Sequence, residues 1–133
     1  MAKEVVWTDK APQPVGQYSP ATRIGDLLVV GGNGPLDPDT GQVLRGDFEG
    51  EVRLTLRNMQ TVLEAGGSSL QQVLKVMVYL ADIRNFDRFN KIYSEFFPDL
   101  KSAPTRAVIG VSGLWGDISV EVECLAVVEN GSK

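Results

Sequence analysis

Two stretches of the chain carry apolar residues at helical spacing. Between Asp47 and Ala65 the apolar side chains recur every three or four positions, after a capping aspartate and before Gly66 and Gly67. A second stripe, from Asn85 to Phe97, is aromatic and is closed by Pro98. The sequence therefore predicts two amphipathic helices, each with one face in a core.

Shorter apolar segments, rich in β-branched residues, predict strands between and around these helices. Four of the five segments have assigned bounds: Leu27 to Gly32, Val73 to Leu80, about Thr105 to Val111 and Ile118 to Val128. We interpret the chain as β, β, α, β, α, β, β without an internal repeat or linker. This order predicts a single α+β domain over residues 1–133, in which two helices pack on one face of a mixed β-sheet.

The predicted strands are apolar at both parities. In "VLKVMVYL" the residues Val76 and Val78 alternate with Met77 and Tyr79, and the last segment shows the same pattern. Two helices can cover only one face of a sheet, so the second apolar face needs another cover. We expect that cover to be another copy of the chain, in a closed homo-oligomer whose sheets pack face to face.

Composition narrows the chemistry that is open to the chain. There is no histidine, and Cys124 is the single cysteine. Most serine and cysteine nucleophile systems therefore lack a partner, and transition metals lack their usual ligands. Any catalysis is expected to use carboxylates, arginine, lysine, tyrosine, amides and backbone groups, without a metal.

Charge and hydropathy limit partners and location. The net charge is −4 and the sequence pI is about 4.8, a balance that disfavours nucleic-acid binding. No uncharged stretch approaches the roughly 18 residues of a membrane span, and no apolar leader is evident. With one cysteine and hence no internal disulfide framework, we expect a cytoplasmic protein.

An arginine interrupts the predicted strand "APTRAVIGV", residues 103–111. Strand alternation puts Arg106 on one face with Val108 and Gly110, where a permanent charge needs an anionic partner. Glu121 and Glu123 lie inside the predicted strand of "DISVEVECLAVV", where their charges also need a partner or solvent. Two interpretations stay open: an ion pair across neighbouring strands or a solvated face, or a clamp for a substrate carboxylate beside a water-holding glutamate.

Two more polar residues stand out from their surroundings. Tyr18 lies in the glycine- and proline-conditioned loop "PVGQYSPA", and Asn90 lies on the second predicted helix. Packing with a wet hydroxyl explains Tyr18 equally well, and a surface amide explains Asn90.

Taken together, these stretches resemble the YjgF/RidA family over nearly the whole chain. The matching segments are "APQPVGQYSPA", "LLVVGGNGPLDPDTG", "EAGGS", "VLKVMVYLADIRNFDRFNKIYSEFF" and "APTRAVIGVSGLWGDISVEVECLAV". The resemblance implies a chorismate-mutase-like fold in a barrel-like homotrimer with clefts between subunits. It also implies a deaminase without a cofactor, which hydrolyses enamines and imines such as 2-aminoacrylate, 2-iminopropanoate and 2-iminobutanoate to 2-keto acids and ammonia.

The resemblance also implies roles for four residues. Arg106 matches the arginine that grips the substrate carboxylate, and Glu121 matches the glutamate that positions the attacking water. Tyr18 and Asn90 match polar residues that line the cleft.

Two further cleft positions, both expected to contact substrate, depart from the family pattern. Gly31 stands where a serine is frequent, which removes a hydroxyl from the pocket. Val108 stands where a cysteine is frequent, but it supplies the same backbone N–H and C=O.

Two other functions remain open. A trimer with the same cleft could bind a keto acid or similar carboxylate without turnover. Gly31 leaves this alternative open, because it lacks the hydroxyl of the frequent serine. The ribonuclease or translation-inhibitor role of some relatives is disfavoured by the low pI and the absence of histidine.

Overall fold

The computed structural model describes residues 2–129. In chain order its main elements are β1 (Glu4–Val6), β2 (Ala21–Ile24), β3 (Leu27–Asn33), α1 (Phe48–Ala65), β4 (Val73–Leu80), α2 (Phe86–Phe96), β5 (Thr105–Gly110) and β6 (Val120–Val127). The predicted α+β class is confirmed. The prediction of two strands before α1 is wrong, because three are present. β1 and β2 have three and four residues, too few for a periodic pattern to reveal.

The strands form one six-stranded sheet in the order β1-β2-β3-β6-β4-β5. All neighbours are antiparallel except β4 and β5, which run parallel because α2 carries the chain back between them. The mixed sheet is thus confirmed. β6, the last strand in the chain, lies near the centre, and β5 lies at an edge.

Both helices pack on one face of this sheet, as predicted. Asp47 caps α1 by accepting a hydrogen bond from the Gly50 N–H at 3.1 Å, and Gly67 follows the helix with a φ of 86°. The apolar stripe of α1 is fully buried and comprises Val52, Leu56, Met59 and Leu63. The sheet side of this core comprises Leu28, Val30, Val76, Val78, Val122 and Cys124. Each such side chain contributes about 1.5–3 kcal/mol to folding.

The opposite face of the sheet carries no helix in residues 2–129. Along β6 buried residues alternate with half-buried ones, so that Glu121, Glu123 and Leu125 lie on this helix-free face. Val29, which pairs with Leu125, is 39% exposed. The apolar pattern at both parities is therefore present in the fold, while the subunit expected to cover this face remains a prediction.

None of the helices that the structure describes has both the length and the apolar character needed to cross a membrane.

Candidate functional site

Arg106 lies beneath α2 at the edge of the sheet. Its neighbour across the β4–β5 ladder is the buried Val76, so its side chain shares the helix-covered face. The guanidinium carbon lies 4.7 Å from the ring centre of Tyr93, 5.7 Å from that of Phe86 and 5.9 Å from that of Phe89. Successive turns of α2 present these rings on one face. The aromatic stripe is therefore part of the core and also makes cation–π contacts with the Arg106 guanidinium.

The charge of Arg106 has no carboxylate partner in the described part of the chain. The salt bridges found there join Arg53 to Glu95, Arg84 to Asp82 and Arg88 to Glu49. Stacked rings lower the cost of holding a guanidinium out of water, but they do not occupy its N–H donors. Those donors remain available to an anion.

The interpretation of an ion pair between Arg106 and Glu121 or Glu123 is wrong within one chain. β4 lies between β5 and β6, so the two strands are not neighbours. The glutamates lie on the helix-free face, whereas Arg106 faces α2.

Two buried polar atoms on α2 lack hydrogen-bond partners within residues 2–129. Asn90 lies on α2 between Phe86 and Tyr93, and its Oδ1 is buried without a hydrogen-bond partner in residues 2–129. The hydroxyl of Tyr93 is also buried without a hydrogen-bond partner in these residues. Burial raises the pKa of Tyr93 to about 12, against a smaller opposing effect of the Arg106 charge. Val108 follows on the same face of β5 and packs against the core. We call Arg106, Asn90, Val108 and the three rings the arginine half-site.

A cavity of about 390 Å³ lies elsewhere, at the ends of β3 and β6. Its walls include Tyr18, Trp115 and Glu121. The Tyr18 hydroxyl accepts a hydrogen bond from the Val15 N–H at 3.0 Å, which fixes the phenol within its loop. We call Glu121, Tyr18 and the walls of this cavity the glutamate half-site.

The surroundings of Glu121 raise the pKa of its carboxyl group. Its half-buried carboxylate joins no salt bridge within residues 2–129. Burial raises its pKa, and the nearby charge of Glu123 raises it further. A carboxylate that is costly to ionise binds a proton more readily, as a general base must.

Two glycines shape the strand beside Glu121. β3 bulges between Val30 and Asn33, and a β-carbon at Gly32 would overlap the Glu121 carboxylate. Gly31 donates its N–H to the Pro20 carbonyl oxygen at 3.0 Å, and its own carbonyl oxygen accepts from Asn33 Nδ2 at 3.2 Å. Gly32 and Asn33, rather than Gly31, line the cavity.

The predicted site residues therefore fall into two groups on opposite faces of the sheet. Arg106, Asn90 and Val108 belong to the arginine half-site, while Tyr18 and Glu121 belong to the glutamate half-site. Gly31 adjoins the second. In the described residues no group of three or more Cys, Asp or Glu side chains is placed to hold a metal ion.

Gly32, Asn33 and Trp115 line the cavity but were not among the predicted site residues. Gly32 and Asn33 are the last two residues of β3, and a strand pattern does not show that a glycine there makes room for a carboxylate. Trp115 lies in "GLWGD", a turn between β5 and β6, and is 55% exposed. The signal that could have found it is a large aromatic residue between two glycines, directly ahead of the strand that carries Glu121.

The six-stranded mixed sheet with two helices on one face has the architecture of the chorismate-mutase-like class of α+β proteins. The chain belongs to the YjgF/RidA family, since the family profile described as Endoribonuclease L-PSP matches residues 8–128. The resemblance noted from the sequence is thereby confirmed.

Individual relatives agree with this assignment. A RutC family protein of Pyrococcus abyssi is 42% identical over 129 residues, which cover 97% of this chain and 100% of the relative. The chloroplastic Reactive Intermediate Deaminase A of Arabidopsis thaliana is 35% identical over 126 residues, 95% of this chain and 66% of the relative. The crystal structure of Escherichia coli TdcF with bound serine superposes with a TM-score of 0.88 at 29% identity, covering 95% of this chain and 99% of that one. The family thus includes proteins named reactive intermediate deaminases.

Proposed function

We propose that the protein is a deaminase that needs no cofactor. It hydrolyses 2-imino acids, and the enamines such as 2-aminoacrylate that precede them, to 2-keto acids and ammonia. One observation carries the proposal: the Arg106 guanidinium is stacked on aromatic rings and joins no salt bridge within residues 2–129. A partly buried cation of this kind favours an anionic partner, and a substrate carboxylate supplies one with paired, charge-assisted hydrogen bonds.

The active site is proposed to form between two copies of the chain. Arg106 and Glu121 lie on opposite faces of one sheet, so a single chain cannot direct both at one small substrate. In a homotrimer, the arginine half-site of one subunit would meet the glutamate half-site of the next. The exposed apolar residues of the helix-free face, such as Val29 and Leu27 at 39% each, support such an assembly.

Binding by the arginine half-site would fix the substrate for attack. Arg106 holds the carboxylate, and the amide of Asn90 together with the backbone of Val108 meets the polar atoms next to it. This placement lets the orphaned Oδ1 of Asn90 find the donor that it lacks in the single chain. A fixed orientation converts the reaction with water into an effectively unimolecular step.

The chemistry is an addition followed by an elimination. Glu121 removes a proton from a water molecule in the cavity as the water oxygen bonds to the C=N carbon. The protonated Glu121 then gives this proton to the nitrogen, which leaves a carbon that carries a hydroxyl and an amino group. Glu121 next removes the hydroxyl proton and passes it to the amino group, so that the keto group forms as the C–N bond breaks and ammonia leaves. One water is consumed and nothing is oxidised or reduced. General acid–base catalysis of this kind supplies about 10²–10⁴ in rate.

The proposed compartment is the cytoplasm. The one cysteine, Cys124, is buried as a free thiol, and burial raises its pKa to about 12, which suits a reducing environment.

A direct assay tests the function. A pyridoxal-phosphate-dependent serine dehydratase generates 2-aminoacrylate, and semicarbazide competes with hydrolysis for the resulting imine. The wild-type protein is expected to divert the imine to pyruvate and ammonia, whereas Arg106→Ala is expected to match buffer. If the wild-type protein itself matches buffer, deamination is excluded.

A second candidate is a trimer that binds small carboxylates without turnover. Gly31 favours it, because this position offers no hydroxyl and its N–H and carbonyl are already bonded to Pro20 and Asn33. Such a binder would be stabilised by pyruvate in a thermal melt, yet would leave the hydrolysis rate at its buffer value.

A further inference from the structure

The cavity of the glutamate half-site is far larger than a three-carbon substrate requires. Its volume of about 390 Å³ would hold about thirteen waters at about 30 Å³ each. A three-carbon imino acid fills a minor part of that space. The remainder is available to a substrate side chain.

The walls of this space are mostly apolar. Besides Tyr18 and Trp115, the apolar lining residues are Pro12, Pro14, Val15, Pro20, Leu36, Val62 and Ile118, and the neutral polar ones are Gln13, Ser19 and Asn33. Glu121 is the one charged residue among the lining residues, so an anionic side chain would be repelled by it. A cationic side chain would pair with Glu121 and remove it from its water. Charge and lining together favour a neutral, apolar group.

Trp115 is the largest uncovered surface in this wall, and its backbone is held in place. Gly116 and Asp117 both adopt left-handed angles, with φ of 67° and 54°. Arg45 secures them by donating to the carbonyl oxygens of Gly116 at 2.6 Å and Asp117 at 3.1 Å. The Asp117 N–H closes the turn onto the Leu114 carbonyl oxygen at 3.1 Å.

This arrangement holds the backbone of the turn that carries Trp115, a residue that is 55% exposed. Left-handed angles outside glycine are costly and persist where the surroundings enforce them, commonly at functional sites. A rigid aromatic ring that stays uncovered in the single chain offers contact area to a bound group at little cost in entropy.

We propose that Trp115 determines substrate specificity, so that the protein prefers 2-imino acids with branched aliphatic or aromatic side chains over the three-carbon imine derived from alanine. This inference rests on the proposed deaminase function. In it, Arg106 and Glu121 act on the shared imino acid group, while the indole of Trp115 contacts the variable side chain. The chemistry is unchanged among substrates, and the preference arises from apolar burial.

The test compares imines that an L-amino acid oxidase generates from alanine, leucine and phenylalanine, with semicarbazide as the competing trap. In the wild-type protein, kcat/KM for the leucine and phenylalanine imines is expected to exceed that for the alanine imine. In Trp115→Ala this ratio is expected to fall by at least about tenfold, the lower range for removing contact with an apolar group. The alanine imine should lose less kcat/KM than the other two imines, because its methyl group makes little contact with the indole, and Trp115→Phe should retain most of the preference.

Trp7 supplies a matched control. It is 57% exposed, close to the exposure of Trp115, and it does not line the cavity. Trp7→Ala is expected to keep the wild-type ratio. A wild-type preference for the alanine imine, an equal loss for all imines in Trp115→Ala, or dissociation of the assembly by that variant would each overturn the inference.

A binding measurement separates this inference from the proposed function. Trp7→Phe leaves Trp115 as the only tryptophan, so its fluorescence reports directly on the cavity. 4-Methyl-2-oxopentanoate is expected to bind at least about tenfold more tightly than pyruvate. If no imine is hydrolysed but 4-methyl-2-oxopentanoate still binds more tightly than pyruvate, the deaminase proposal is wrong and the role of Trp115 in ligand selection stands. Equal affinities overturn the role of Trp115, whatever the turnover.

Discussion

The guanidinium carbon of Arg106 lies 4.7 Å from the ring centre of Tyr93, with the rings of Phe86 and Phe89 close behind. Such stacking contributes about 0.5–2 kcal/mol and leaves the N–H donors free. A carboxylate partner from the same chain would have consumed them. The aromatic stripe therefore holds the cation in a fixed orientation while keeping it ready for a ligand.

Arg106→Ala is expected to lower kcat/KM for 2-imino acids by at least about 100-fold, because two charge-assisted hydrogen bonds of about 1.5 kcal/mol each are lost. Arg106→Lys keeps the charge but loses the planar guanidinium with its paired donors, so its kcat/KM should lie between those of the wild-type protein and Arg106→Ala. The thermal midpoint is expected to move by only a few degrees, since no described ion pair depends on Arg106. Wild-type kinetics in Arg106→Ala would exclude the clamp.

Tyr93→Phe tests the buried hydroxyl. It keeps the ring beneath Arg106 and removes an atom that lacks a hydrogen-bond partner. We expect the free energy of unfolding to stay the same or to rise by up to about 1 kcal/mol. Tyr93→Ala, which deletes the ring, should lose about 3 kcal/mol or more. Denaturant melts at one protein concentration measure both changes, and a clear loss in Tyr93→Phe would mean that the hydroxyl has a partner in the assembled protein.

The sequence predicted most of the fold, because long elements carry a clear period. β4 begins and ends where "VLKVMVYL" indicated, and Asp47 caps α1 as expected. The extra strand before α1 was missed because β1 and β2 are too short to show alternation.

The site was predicted in parts but not in its arrangement. Alternation correctly grouped Arg106 with Val108 and Glu121 with Glu123. It says nothing about which strands become neighbours, so the insertion of β4 between β5 and β6 could not be seen. Trp115 lies in a turn, where no period exists to mark it.

Glu121→Gln is expected to lower kcat by about 10²–10⁴, the range for losing a general base. KM and the affinity for pyruvate should change little, because Arg106, and not Glu121, binds the carboxylate of the substrate or of pyruvate. Equal losses in affinity and turnover would show that Glu121 is a structural residue instead.

The pH dependence of the wild-type protein should carry the signature of Glu121. Its pKa lies above the ordinary value of 4.5, with burial as the main cause. kcat/KM is therefore expected to fall as the pH drops through that raised pKa, and Glu121→Gln should lack this limb. The folded state also binds this proton more tightly than the unfolded state, so the stability it contributes is present at low pH and is lost as the pH rises through the folded pKa. Relative to Glu121→Gln, the wild-type protein should lose stability over that window.

Val29→Asp should break the assembly. Val29 is 39% exposed on the helix-free face, and a buried carboxylate there would lack a partner. Light scattering is expected to give a mass near the 14.5 kDa of one chain, against about three times that mass for the wild-type protein. Leu44→Asp is the control, because Leu44 is 38% exposed but lies beside α1. An unchanged mass for Val29→Asp would place the subunit contact elsewhere.

Mixing two inactive variants tests whether the half-sites of different subunits form one active site. In a closed trimer of randomly mixed Arg106→Ala and Glu121→Gln chains, about a quarter of the interfaces join an intact Arg106 to an intact Glu121. Activity should therefore recover to about a quarter of the wild-type value after joint refolding, whereas each variant refolded alone stays inactive. Recovery must depend on the interface, so adding Val29→Asp to both variants should abolish it. If the mixed protein stays inactive while its mass shows intact trimers, Arg106 and Glu121 do not act on the same substrate.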